Sequence, residues 1–277
     1  MGSGAIHELK FGCQTFIWEM AGKPYPHPKD MVKAIANAGY TGVEITDNLI
    51  GPYFDDGDGF RTLLDDHGLA LVAFTISTPS GFTVPEKKPD DLDHIARSLS
   101  FLQAFPDAYL TLGSATRVND DDPDRLFATA AEIYNEAGDL SADAAHRLCV
   151  HASSHDNTIL LTEADYCRIL DATNPDTVRW VPDTGHMLKV GQDLMKMVAQ
   201  YRNRIGYVHL KDVDAGGAWA MLGEGVMQVR ALADLLGLQQ GGDLWFVVEE
   251  ESAVSQRNRD AALLADLRAL EAACLPR

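Results

Sequence analysis

TVRWVPDTGHM (residues 177–187) leaves an apolar run abruptly: TVRW has strand character, and within a few residues come Pro182, Asp183, Gly185 and His186. A carboxylate and an imidazole three positions apart, just where a strand gives way to a loop, mark a strand end that carries chemistry. Further along, IGYVHLKD (205–212) repeats the pattern with His209, Lys211 and Asp212. Between them GQDLMKMVAQYRN (191–203) reads as a helix, so the unit is strand, polar strand end, helix, strand.

The same unit extends in both directions. Strand-like stretches are ELKFGCQTF (8–16), GVEIT (42–46), LALVAFTIS (69–77), AYLTLGS (108–114), RLCVHAS (147–153) and LWFVVEEE (244–251). Helical stretches alternate with them: KDMVKAIANAG (29–39), GFRTLLDDHG (59–68), DDLDHIARSLSFLQAF (90–105), DPDRLFATAAEIYNEAGDLSADAA (122–145), TEADYCRILDAT (162–173), VMQVRALADLLGL (226–238) and QRNRDAALLADLRALEAA (256–273). Eight strands and eight helices in strict order, in 277 residues, predict parallel pairing with right-handed crossovers. The expected fold is a (β/α)8 TIM barrel occupying residues 1–277 as a single domain. A doubly wound sheet is disfavoured, because the glycines of GSGAIHELKFG precede the first strand instead of following it.

Composition narrows the partners. Asp and Glu total 41 against 23 Lys and Arg, a formal charge of −18, and such a field repels nucleic acid and anionic membrane surfaces. The four scattered cysteines, Cys13, Cys149, Cys167 and Cys274, read as reduced thiols of a cytoplasmic protein. No signal segment or membrane-spanning run is expected.

In a barrel of this kind chemistry sits on the loops that follow the strands. The polar residues there are Gln14, Thr15 and Trp18; Glu44 and Asp47; Ser77 and Thr78; His151, Ser153 and His155; Asp183 and His186; His209, Lys211 and Asp212; and Glu249, Glu250 and Glu251. Three consecutive strands end in Asp, His and Glu, with a His on the strand before. Barrel closure would gather these into an N/O shell for a divalent cation, Mn²⁺, Mg²⁺, Co²⁺ or Zn²⁺. Alternation turns Glu44 and Thr46 inward, and gives His209 and Lys211 one face with Tyr207 below. It does not separate Glu249 from Glu250, nor His151 from His155. Phe16 and Trp18 are candidate walls of a pocket. His7, His27, His67, His94 and His146 fall on loops or helices and receive no role.

PDTGHM (182–187) with VHLKDV (208–213), WFVVEEES (245–252), GCQTFIW (12–18) and GVEI (42–45) resembles the xylose isomerase-like superfamily across nearly the whole chain. Its members include D-tagatose 3-epimerase-like enzymes, inosose dehydratases, keto-C-glycoside-cleaving lyases and endonuclease IV. The resemblance implies one divalent metal, Mn²⁺ first among the candidates, held by residues from the last four strands. It matches Asp183, His209 and Glu249 to three ligands, and puts His151 where a glutamate is usual. It implies a metal-dependent isomerase or epimerase acting on a keto-sugar or polyol through an enediolate. The competing reading is a lyase or dehydratase, which the change to His151 favours. Under either, His151 or Glu249 is the proton-transfer group, with Glu44 third; His186 bonds a substrate hydroxyl and Lys211 counters negative charge. A nuclease is disfavoured by the charge. The partners implied are a small carbohydrate, another copy of the chain or, for a glycoside-cleaving enzyme, a small partner subunit.

Overall fold

The computed structural model describes residues 10–151, 153–155, 157–237 and 244–274; His7 lies outside them. The strands are β1 (Lys10–Gln14), β2 (Gly42–Thr46), β3 (Ala70–Ile76), β4 (Tyr109–Leu112), β5 (Arg147–His151), β6 (Val178–Val181), β7 (Val208–Leu210), β8 (Asp212–Val213), β9 (Trp219–Ala220) and β10 (Trp245–Val248). Eight form one parallel sheet in the order β6-β5-β4-β3-β2-β1-β10-β7. Isolated parallel bridges, Trp180 with Ile205 and Asp183 with His209, then join β6 to the β7 side and close the barrel. The expected eight-stranded barrel is thus borne out. β8 and β9 form a separate antiparallel hairpin after β7.

The helices are α1 (Phe16–Glu19), α2 (Pro28–Ala38), α3 (Gly57–Asp65), α4 (Lys88–Leu102), α5 (Pro123–Asp143), α6 (Glu163–Ala172), α7 (Thr184–Lys189), α8 (Leu194–Gln200), α9 (Val229–Leu236), α10 (Ala253–Arg257) and α11 (Arg259–Cys274). Two expectations change here. The helix expected at 191–203 is preceded by α7, which starts directly after Asp183, and Gly191 at φ +75 separates it from α8. The final helix is likewise split, because Asn258 leaves helical geometry at φ −152, ψ 87.

Burial divides the apolar residues into two sets. One lies between sheet and helices, including Val43, Ile45, Leu110, Val208 and Phe246. The other fills the barrel lumen: Val72, Ala73, Tyr109, Cys149, Val181, Tyr207 and Val247, with Trp245 against them. A Cβ on Gly42 would come within 2.5 Å of the Trp245 ring, so only glycine admits that indole. Tyr109 and Tyr207 complete the plug, their hydroxyls bonding the Gly206 carbonyl at 3.0 Å and the Thr111 hydroxyl at 2.9 Å. With the lumen filled below Tyr207, an open site is possible only above it. All four cysteines are free thiols. No helix among the described residues is long and apolar enough to cross a membrane.

α11 buries a carboxyl against the underside of the last strand's loop. Asp266 accepts from the Leu222 amide at 2.9 Å, and burial, with Glu250 beside it, pushes its pKa up to about 9. A folded-state value above the unfolded one stabilises the fold most below about pH 4, and that stability is lost as pH rises through about 9. Asp266→Asn, which keeps the shape and needs no proton, is expected to raise the urea midpoint at pH 8. It should also flatten the decline in stability between pH 5 and 9, as followed by circular dichroism.

Candidate metal centre

Asp183 follows β6 and does two things at once. Its Oδ1 accepts from the His186 amide at 2.8 Å and so caps α7. Its Oδ2 faces the barrel axis, 3.4 Å from His151 Nε2 and 3.6 Å from His209 Nδ1. The cap is the device that aims the second oxygen.

His209 is held from the other side. Its Nε2 donates to Glu44 Oε2 at 2.7 Å, and Glu44 Oε1 accepts from the Thr75 hydroxyl at 2.6 Å. That bond holds a ring proton on Nε2 and turns Nδ1 toward Asp183 and Glu249. Nδ1 is buried and makes no hydrogen bond, although Glu249 Oε2 lies 2.8 Å away. An unpaired imidazole nitrogen crowded by two carboxylate oxygens fits a group that coordinates a cation. One donor atom from each of His151, Asp183, His209 and Glu249 lies within 4.8 Å of the others. Two imidazoles and two carboxylates suit a hard to borderline divalent ion. The electrostatics agree: although burial opposes it, Glu44, Asp183 and Glu249 push the His209 pKa well above the imidazole range. The site lacks positive charge, which a divalent ion would supply.

Lys211 supplies part of it. Its buried ammonium bonds Glu249 Oε1 at 2.6 Å, bonds Glu251, and lies 3.7 Å from Asp183 Oδ2. Burial favours the neutral amine, but Asp183, Glu249 and Glu251 outweigh it and hold the pKa above the usual lysine range. Reciprocally, against burial, Lys211 and His209 hold the Glu249 carboxyl well below the usual range. The motif glycine has its reason here: a Cβ on Gly185 would lie 2.5 Å from Lys211 Cγ and 2.7 Å from its Cβ.

His186 lies beside this cation. Ser154 donates its amide to Nδ1 at 3.0 Å, and Nε2 lies 3.1 Å from Lys211 Nζ. Burial and Lys211 push its pKa down to about 3, so the ring is neutral. His155, His186 and Glu251 form a second group of ligand-type atoms, and Trp219 of the hairpin packs edge-on to His186 at 5.1 Å.

Above the quartet opens a cavity of about 170 Å³, lined in part by His151, His155, His186, His209 and Glu249. Of the sequence candidates, Gln14, Phe16, Thr46, Asp47, Ser77 and Ser153 also line it. Others lie elsewhere. Glu44 is fully buried beneath His209, and Trp18 is buried with Arg259 over its ring. Asp212 accepts the amides of Val213, Gly223, Gly225 and Met227, and holds the loop around the hairpin. Glu250 turns toward Asp266. His94, given no role from sequence, bonds Asp47 at 2.9 Å. Glu19, Asn48 and Ser154 were missed. Glu251 was present in sequence as the i+2 neighbour of Glu249, a spacing that placed it on the same face.

A family model for the xylose isomerase-like TIM barrel matches residues 32–273. The inosose dehydratase of Serratia proteamaculans (strain 568) is 27% identical over 252 residues, 79% of this chain and 81% of that protein. The inosose dehydratase of Geobacillus thermodenitrificans (strain NG80-2) is 30% identical over 135 residues, which span 42% of this chain and 44% of that protein. Among solved structures, an IolI protein with a bound zinc atom superposes with a TM-score of 0.79 at 14% identity, covering 96% of this chain and 98% of the other. At that identity the likeness is one of fold.

Proposed function

The chain belongs to the xylose isomerase-like TIM barrel family, and from that premise we propose that it is a metal-dependent dehydratase of keto-polyols. The observation that carries this is the quartet His151, Asp183, His209 and Glu249 at the floor of an open cavity. These four hold a divalent ion, with Mn²⁺ favoured by the two carboxylates and Zn²⁺ its closest rival. When bound, such an ion draws electron density from a substrate carbonyl oxygen.

The chain's own residues do the rest. Glu249 lines the cavity and is kept ionised by Lys211, the form that accepts a proton. It takes the C–H proton next to the carbonyl, and the electron pair moves into an enediolate. Re-forming the carbonyl expels the β-hydroxyl, which leaves as water with the proton Glu249 returns. His186 lines the cavity with its Nε2 against Lys211, and Glu44 holds His209 in place.

Elimination is favoured over epimerisation because His151 stands where a second carboxylate would have to serve the other face of the carbon. The inosose dehydratase relatives support the same choice. The enzyme is one barrel domain working in the cytoplasm, where its free cysteines stay reduced. Protein purified without chelator and incubated with keto-inositols in D₂O tests the proposal. The expected result is about one divalent ion per chain and an ultraviolet-absorbing enone. Deuterated, rearranged sugar without enone would make it an epimerase, and a chain free of divalent ions would reject both.

A further inference from the structure

In the barrel order, β1 and β2 stand across from β5 and β6. The wall facing His151 and Asp183 therefore belongs to the loops after β1 and β2, and it carries carboxylates of its own. α1 is anchored by its buried Ile17 and Trp18 and presents Glu19 to the cavity. Glu19 Oε1 accepts from Asn48 Nδ2 at 2.8 Å and Oε2 from the Thr46 hydroxyl at 3.3 Å. Beside it, Asp47 bonds His94. A carboxylate has about four acceptor positions, so this bracing leaves Glu19 with acceptors to spare. Burial pushes its pKa up against the pull of Asn48 and Thr46, and the nearby Asp47 and Glu249 charges add to the rise.

The same cavity has no arginine or lysine among its described lining residues. Lys211 lies beneath it, held by Glu249 and Glu251. An anionic group bound on the Glu19 side would therefore meet two carboxylates and no basic side chain on the wall.

We infer that Glu19, braced by Asn48, binds a substrate hydroxyl on the side away from the metal ligands, and that with Asp47 it makes the site select uncharged polyols over phosphorylated or carboxylated ones. This rests on the keto-polyol reading above and deepens it. Each hydroxyl donated to an ionised carboxylate is a charge-assisted bond, whereas a phosphate ester brings like charge against like.

Calorimetric titration of the metal-loaded protein with myo-inositol and with myo-inositol 1-phosphate tests it, with metal content followed by elemental analysis. The wild type is expected to bind the neutral probe about 100-fold more tightly than the phosphate. Glu19→Gln should weaken the neutral probe about tenfold and narrow the gap between probes, with metal content unchanged. Glu19→Asp, which keeps the charge but withdraws it, should lose affinity for the neutral probe yet keep rejecting the phosphate, and it serves alone if the Gln variant does not fold. Equal binding of both probes by the wild type, or variants indistinguishable from it, would overturn the inference. A metal-loaded wild type that binds neither probe would remove the polyol reading, and this inference with it.

Discussion

Asp183→Asn is expected to fold and to lose its metal. Asparagine caps a helix as well as aspartate does, so the bond to the His186 amide and the start of α7 survive. What disappears is the negative charge on the oxygen that faces His151 and His209. If a structural four-ligand site is worth about 10–16 kcal/mol in all, one anionic ligand accounts for about 3 kcal/mol, a loss of about 100-fold in metal affinity. Burial opposes the Asp183 charge, but Lys211 and His186 outweigh it, so losing that charge is expected to lower the thermal midpoint of the metal-free protein modestly while the cap survives. Competition of the protein against a metal-sensitive dye, alongside thermal melting, separates the two roles. Unchanged metal affinity would remove Asp183 from the ligand set. A collapse in stability would mean that its main work is structural.

Gly185→Ala should act in the opposite way, through packing. The new methyl group would lie 2.5 Å from Lys211 Cγ and 2.7 Å from Lys211 Cβ, atoms near the root of the side chain that cannot simply rotate aside. Overpacking of this kind costs about 1–3 kcal/mol. If the stem is displaced, the ammonium leaves Glu249 and Glu251, two buried carboxylates that then lack their counterion. A fall of about 5–10 °C in the thermal midpoint is expected, with turnover reduced further than stability explains. Glu249, freed from Lys211, would hold a proton to higher pH, so the acid limb of the pH–rate profile should move upward. An alanine variant with wild-type melting and pH profile would show that Lys211 is not held against Gly185.

Much of this was legible in the chain. The alternation of period-two and helical stretches named the barrel, since each apolar strand needs neighbours on both edges and a helix over its outer face. The strand ends named Asp183 and His209 as well, because the loop side of such a barrel is where polar residues can stand without filling the lumen; between Glu249 and Glu250 only the family resemblance chose. Other positions needed the fold. Glu19 sits on a helical turn too short to have a period, and Ser154 in a loop; neither spacing carries a signal. His94 lies mid-helix and acquires its partner, Asp47, only when α4 packs beside the loop after β2.

Strand identity and strand-end chemistry were therefore set by the sequence itself, since side-chain alternation and apolar periodicity are local. Which atom of each residue faces the axis was decided by tertiary contacts between residues far apart in the chain. Glu44 reaches His209 across 165 positions and fixes which ring nitrogen faces the axis; the cap on α7 turns one Asp183 oxygen inward; Lys211 finds two glutamates on the last strand's loop. Closing the barrel through the Asp183–His209 bridge is what brings those contacts within range, because a ligand set needs atoms a few ångströms apart and no local pattern measures that distance.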